Sequence, residues 1–167
     1  TAIATAPLAL LVAVSVSMAA EPTPGDFTSK ASADGLTEIE LGRIAVQRAS
    51  SADVRQFAEQ MVRDHSKANR ELSELAARKN LPISSSIDPA GQAAMASLKN
   101  LSGSEFDRAY MTQMVDDHRK AVELFREAAS STSDAEIAQF AKTALPTIEH
   151  HSSEAQKLNT ELRTAMR

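Results

Sequence analysis

The sequence predicts an all-α protein: a four-helix bundle in which one long crossover carries a short extra helix. Three observations carry that expectation. Ala, Leu, Glu, Gln, Lys and Met dominate, Trp is absent and only five residues are Gly, a composition that favours helix. Four long segments space their apolar residues by three and four, as a helix with one buried stripe does. The connections between these segments are two short and one long, which is bundle connectivity.

The elements follow in order. Ala2 to Ala20 is almost wholly apolar, most strongly from Leu8 to Val16, and ends in Ser17-Met18-Ala19-Ala20 before Glu21-Pro22. That is the pattern of a secretory signal peptide over residues 1–20; with no basic start, it reads as truncated at its beginning. The remaining chain of about 147 residues is the size of one domain. Residues 21–26 read as a tail and 27–165 as the bundle.

A first helix is expected over about 27–49, after which Ser50-Ser51 breaks and recaps the chain. A second, over about 52–79, carries the stripe Val54, Ala58, Met61, His65, Ala68, Leu72, Leu75. Asp88-Pro89 is an N-cap followed by Pro at the first helical position, opening a short helix to about Leu98. Ser102-Gly103-Ser104-Glu105 fits a capping box. It opens a helix to about Ala129 with the stripe Asp107, Tyr110, Met114, His118, Ala121, Phe125, Ala128. Ser133-Asp134-Ala135-Glu136 reads as a second box. The last helix shows Ile137, Ala141, Ala144, Ile148, His151, Ala155, Leu158, Leu162, with Pro146 inside it predicting a kink.

The long connection, about Asn80 to Leu101, sets the topology. Roughly eight extended residues at about 3.3 Å each and a short helix at about 1.5 Å per residue can traverse a bundle about 40 Å long. The two helices it joins are then parallel. A short helix packed at one end would instead give a plain up-down-up-down bundle; the crossover is preferred.

One phrase occurs twice. Gln60-Met61-Val62-Arg63-Asp64-His65-Ser66-Lys67-Ala68 recurs as Gln113-Met114-Val115-Asp116-Asp117-His118-Arg119-Lys120-Ala121, identical at seven of nine positions. It places an Asp-His pair at the same point of two helices, in a chain with four histidines. His65, His118 and His151 all fall on apolar stripes, whereas His150 lies off its stripe and reads as solvated. In the first helix Leu36, Glu40 and Ile44 form a row interrupted by Glu40. On parallel helices His65 and His118 differ in depth by only about 3 Å, and all four groups come within about one turn.

A buried Glu with three histidines must be satisfied. One solution is a metal: Glu40, His65, His118 and His151 as ligands to one Zn, Fe or Mn ion. Asp64, Asp117 and Tyr110 would then support the ligands, since neighbours on a helix point about 100° apart. The other is a proton-sharing polar network that fixes helix register without metal. The methionines read as core packing.

Glu38-Ile39-Glu40-Leu41-Gly42, Phe57-Ala58 through Asp64-His65, Phe106-Asp107-Arg108-Ala109-Tyr110-Met111 through Asp117-His118, and Phe140-Ala141 through Leu145-Pro146 to His151 resemble a DUF4142 domain. The resemblance spans about Asp26 to Leu158. It implies an exported bacterial protein with a ferritin-like four-helix bundle, and it implies no reaction. Ferritin-like di-iron proteins use Glu-x-x-His on two helices. Neither repeat here has that motif, so a mononuclear or non-standard site is expected if metal binds.

The remaining composition excludes several functions. No Cys is present, which removes disulfides, lipid attachment at Cys and Cys-based metal sites. Net charge is −4 without a basic stripe, so nucleic acid is not an expected partner. Nothing resembles an activated nucleophile, a phosphate loop or a Rossmann turn. Two readings follow. One is an exported, periplasmic bundle without catalysis, working through a protein partner, a second copy or the outer membrane, with no membrane-spanning segment once the signal is removed. The other is a metal-binding bundle, with a metal-dependent oxidoreductase as its weaker variant.

Overall fold

A computed structural model describes residues 23–165, so the expected signal peptide lies outside the described residues. Five helices follow one another: α1 Pro24–Arg48, α2 Ala52–Lys79, α3 Pro89–Leu98, α4 Gly103–Ser131 and α5 Ala135–Thr164. Among the described residues there is no strand, and no helix is long and apolar enough to cross a membrane.

Local chemistry sets the helix ends. α1 begins three residues before the expected position, which corrects the assignment of residues 24–26 to a tail. Thr23 and Asp26 form a reciprocal capping box and Pro24 stands at the first helical position. α2 starts behind Ser51 and stops at Asn80, which takes the left-handed φ of 52°. Asp88 caps α3 by accepting from the Gly91 N–H at 2.7 Å. The box expected at Ser102 does not form, because the chain enters α4 through Gly103 at φ 59° and the Ser102 side chain makes no cap bond. At α5 the cap is Asp134, one residue later than expected, accepting from the Glu136 and Ile137 N–H groups. α5 runs unbroken through Pro146.

The connection between α2 and α4 traverses the bundle. At its start, Thr28 near the beginning of α1 donates its hydroxyl to the Pro82 carbonyl at 2.6 Å. At its end, Arg48 in the last turn of α1 donates to the carbonyls of Leu98, Lys99 and Leu101. α2 and α4 are therefore parallel and lie diagonally across the bundle, with α1 and α5 on the other diagonal. α3 lies against α1 and α4. Asp107 on α4 closes the α1–α2 turn by accepting from the Ser50 and Ser51 N–H groups at 3.0 and 2.8 Å, and from the Ser50 hydroxyl.

The core is divided. One apolar cluster gathers Leu41, Phe57, Met61, Phe106 and Met114 near the α1–α2 turn. The other gathers Phe27, Leu72, Phe125, Ile137 and Ile148 near the α4–α5 turn. The histidines lie between them.

Candidate metal centre

α2, α4 and α5 each bring one histidine to the dividing layer, because His65, His118 and His151 occupy stripe positions. The parallel repeat sets His65 and His118 at one depth. Ring centroids are 5.6 Å apart for His65–His118 and 5.5 Å for each other pair. One nitrogen of each ring lies within 4.8 Å of the others, and among the described residues no other set of three ligating side chains converges in this way.

Hydrogen bonds orient two of the rings. His118 Nδ1 is 3.0 Å from the Met114 carbonyl oxygen. A carbonyl only accepts, so Nδ1 carries the proton and Nε2 keeps its lone pair. His151 Nε2 is 2.9 Å from Asp64 Oδ2, so Nε2 donates to the carboxylate and Nδ1 keeps its lone pair. His65 Nε2, His118 Nε2 and His151 Nδ1 are all buried without a hydrogen-bond partner. His65 can donate to at most one of the other two. The three imidazoles alone therefore leave at least one ring nitrogen without a partner among the protein groups.

Burial keeps all three rings neutral near pH 7. Desolvation, then His118 and His151, push His65 well below the usual imidazole value. Desolvation and His151 lower His118 to about 4, against the Met114 carbonyl, which acts upward. His151 is lowered by desolvation, with Asp64 opposing. A buried charge is penalised most where no counter-ion is at hand.

The acidic member of the expected layer needs correction. Glu40 is about one-third exposed and pairs with Arg43 one turn on. The inward acid of α1 is Glu38, only 5 % exposed. Phe27, Ala31, Glu38, Leu41 and Ala45 form the inward stripe, with half-buried Asp34 at its edge; Glu40 is about 200° from Glu38 around the helix. Desolvation, then Asp117 and Asp34, push the Glu38 carboxyl well above its ordinary range.

The three supporting residues separate. Asp64 holds His151 rather than its neighbour His65. Asp117 accepts from Gln113 at 2.7 Å and lies 3.7 Å from Lys120. Tyr110 stacks on Phe106 at 6.0 Å, and its buried hydroxyl has no partner. The Met114 carbonyl was not foreseen as a support; its place four residues before His118 follows from helix geometry. His150 is exposed and pairs with Glu154 at 3.6 Å.

A cavity of about 290 Å³ opens beside the histidines, walled by Glu38, Asp117 and apolar residues of all four long helices. His65, His118 and His151 all contribute to its lining.

Fold and site together define an all-α crossover bundle with a histidine layer facing a core cavity. The chain belongs to the DUF4142 family, a domain of unknown function, whose profile matches residues 12–158. No curated protein matches it in sequence. A DUF305 fragment from Deinococcus radiodurans has the same fold, with TM-score 0.73, 16% identity, and coverage of 83% of this chain and 95% of that one. A candidate secreted DUF305 protein from Streptomyces coelicolor gives 0.72, 19%, 86% and 96%. CopM in its Cu(II)-bound form gives 0.71, 15%, 83% and 97%. CopM is also known in Cu(I)-bound, Ag-bound and apo forms. At these identities the likeness establishes the fold.

Proposed function

We propose that the protein binds one transition-metal ion through His65 Nε2, His118 Nε2 and His151 Nδ1, and that it does so as an exported metal-binding protein of the cell envelope. One observation carries this reading: three imidazoles converge, and each has a buried nitrogen with no protein partner. A metal ion is the acceptor of electron pairs that this arrangement lacks.

Metal–imidazole bonds of about 2.0–2.1 Å at near-tetrahedral angles need nitrogens roughly 3.4 Å apart. Ring rotation has to close the gap from the present spacing of up to 4.8 Å. Asp64 and the Met114 carbonyl fix two tautomers beforehand, which keeps the ligating lone pairs inward. With Glu40 turned outward, no carboxylate belongs to the converged set. A three-imidazole site favours Cu or Zn over Mn, which prefers oxygen ligands. The Cu- and Ag-bound forms of CopM, built on the same fold, support copper as the first ion to try. The apolar stretch at residues 2–20 supports export.

Thermal unfolding with and without metal tests the proposal. Added Cu or Zn should raise Tm of the wild type, by mass action on the folded state. The gain should vanish in His65→Ala and in His118→Ala. An equal gain in these variants would place the metal elsewhere, and no gain in the wild type with any ion would leave the layer without a metal role.

A further inference from the structure

The cavity beside the histidines has a second chemical feature, separate from the metal reading. Six carboxylates line it, and five have partners. Asp34 pairs with Lys30 at 3.2 Å, Asp64 with His151 at 2.9 Å and Glu71 with Lys67 at 3.9 Å. Asp88 accepts from the Gly91 N–H, and Asp117 from Gln113 with Lys120 alongside. Glu38 is the sixth. It is more than nine-tenths buried, and its Oε2 has no partner.

The repeat sharpens the anomaly. α2 and α4 carry the same phrase on one diagonal, so Asp117 is the counterpart of Asp64. Asp64 meets His151, 16 residues into α5; Asp117 and Glu38, the latter 14 residues into α1, line the same cavity. Where one half of the bundle pairs a carboxylate with an imidazole N–H, the other sets two carboxyls on one cavity wall. Burial favours the protonated form of Glu38, and a cation beside it favours the charged form, so the group that answers Glu38 is a cation.

The walls say which cation. Leu72, Phe125, Phe140 and Ile148 line the same cavity. At about 290 Å³ it lies just under the lower end of the range for small-molecule sites, about 300 Å³. An inorganic cation needs several converging oxygens, and no second set of three ligands converges among the described residues. Lys30, Lys67 and Lys120 also line the cavity, each beside one of its acids, so six carboxylates outnumber three ammonium groups and disfavour an anion. We propose that the cavity binds a small organic monocation, an alkyl or arylalkyl ammonium, with its nitrogen on Glu38 and its apolar body against Phe125 and Phe140.

The test uses n-hexylammonium, 1-hexanol and hexanoate, matched in length, on the chain from residue 21 near pH 7. EDTA is present, so that amine ligation to a metal cannot imitate the effect. At tenfold excess over Kd the ammonium should raise Tm by about 4 °C. Hexanol should give much less and hexanoate nothing. In Glu38→Gln the ammonium should lose its advantage over hexanol. In Ala144→Leu, which fills the cavity, neither should act. Should Glu38→Gln not fold, intermolecular NOEs from the hexyl chain to the Phe125 and Phe140 rings of the wild type decide, and their absence overturns the proposal. Equal binding of ammonium and hexanol by the wild type, an undiminished ammonium shift in Glu38→Gln, or no shift at millimolar ligand overturns it as well. Because no metal is involved, these outcomes leave the histidine site untouched.

Discussion

Replacing His118 with Gln should flatten the acid side of the stability profile. In the unfolded chain the imidazole titrates near 6.5; in the fold burial lowers it to about 4. Between those values the unfolded state binds more protons, so stability is full above pH 6.5 and drains away as pH falls toward 4. A shift of about 2.5 units at about 1.36 kcal/mol per unit sets a limit of about 3 kcal/mol. His65 and His151 are shifted the same way and add to the loss. Glu38 is raised and works in the opposite sense, gaining stability as pH falls. The wild-type profile therefore mixes signs, and subtracting the variant's profile isolates His118. Urea unfolding of both proteins, with EDTA, at pH 7.5, 6.0, 5.0 and 4.5 provides the comparison. The wild type should lose about 2–3 kcal/mol more than His118→Gln over that range. Parallel losses would show that His118 is not held neutral by burial and would remove the electrostatic basis of the site.

Other perturbations read other parts of the structure. Asp64→Ala frees the His151 tautomer and should weaken metal binding about 10–100-fold in a competition titration, while the protein stays folded. Asp107→Ala strips the acceptor from the Ser50 and Ser51 N–H groups and should cost about 2–3 kcal/mol in chemical denaturation, with no change in metal affinity. Gly91→Ala pushes a methyl against Thr37 and to 2.6 Å from Ile87 Cγ2. It should loosen α3 from α1 and cost about 1–3 kcal/mol, seen as faster amide exchange in residues 89–98.

The helices were legible where the chain writes their ends. Ser51, Asn80 and the Asp88-Pro89 pair mark the bounds of α2 and α3 at the residues found. The three histidines were legible because α2, α4 and α5 each have one buried stripe. α1 was not, because it packs against α2, α4 and α3 together. Apolar residues then occupy several faces, and the Leu36–Glu40–Ile44 row was read in place of the heptad spacing through Phe27, Asp34, Glu38 and Leu41. The start of α1 was missed because Asp26 replaces the Glu or Gln usual in a capping box. The bond from His151 to Asp64 spans 87 residues and depends on helix rotation, which spacing alone does not fix. The cavity is a gap between side chains of five helices, and no stripe records it.

The most direct measurement is the metal content of the chain from residue 21, purified without an affinity tag or chelator. A His65→Ala/His118→Ala double variant, folded by circular dichroism, is the control. About one equivalent of Cu or Zn in the wild type and none in the variant is the expected result. Metal-free wild type that stays empty after reconstitution with Cu(I), Cu(II) and Zn(II) would contradict a three-histidine metal centre.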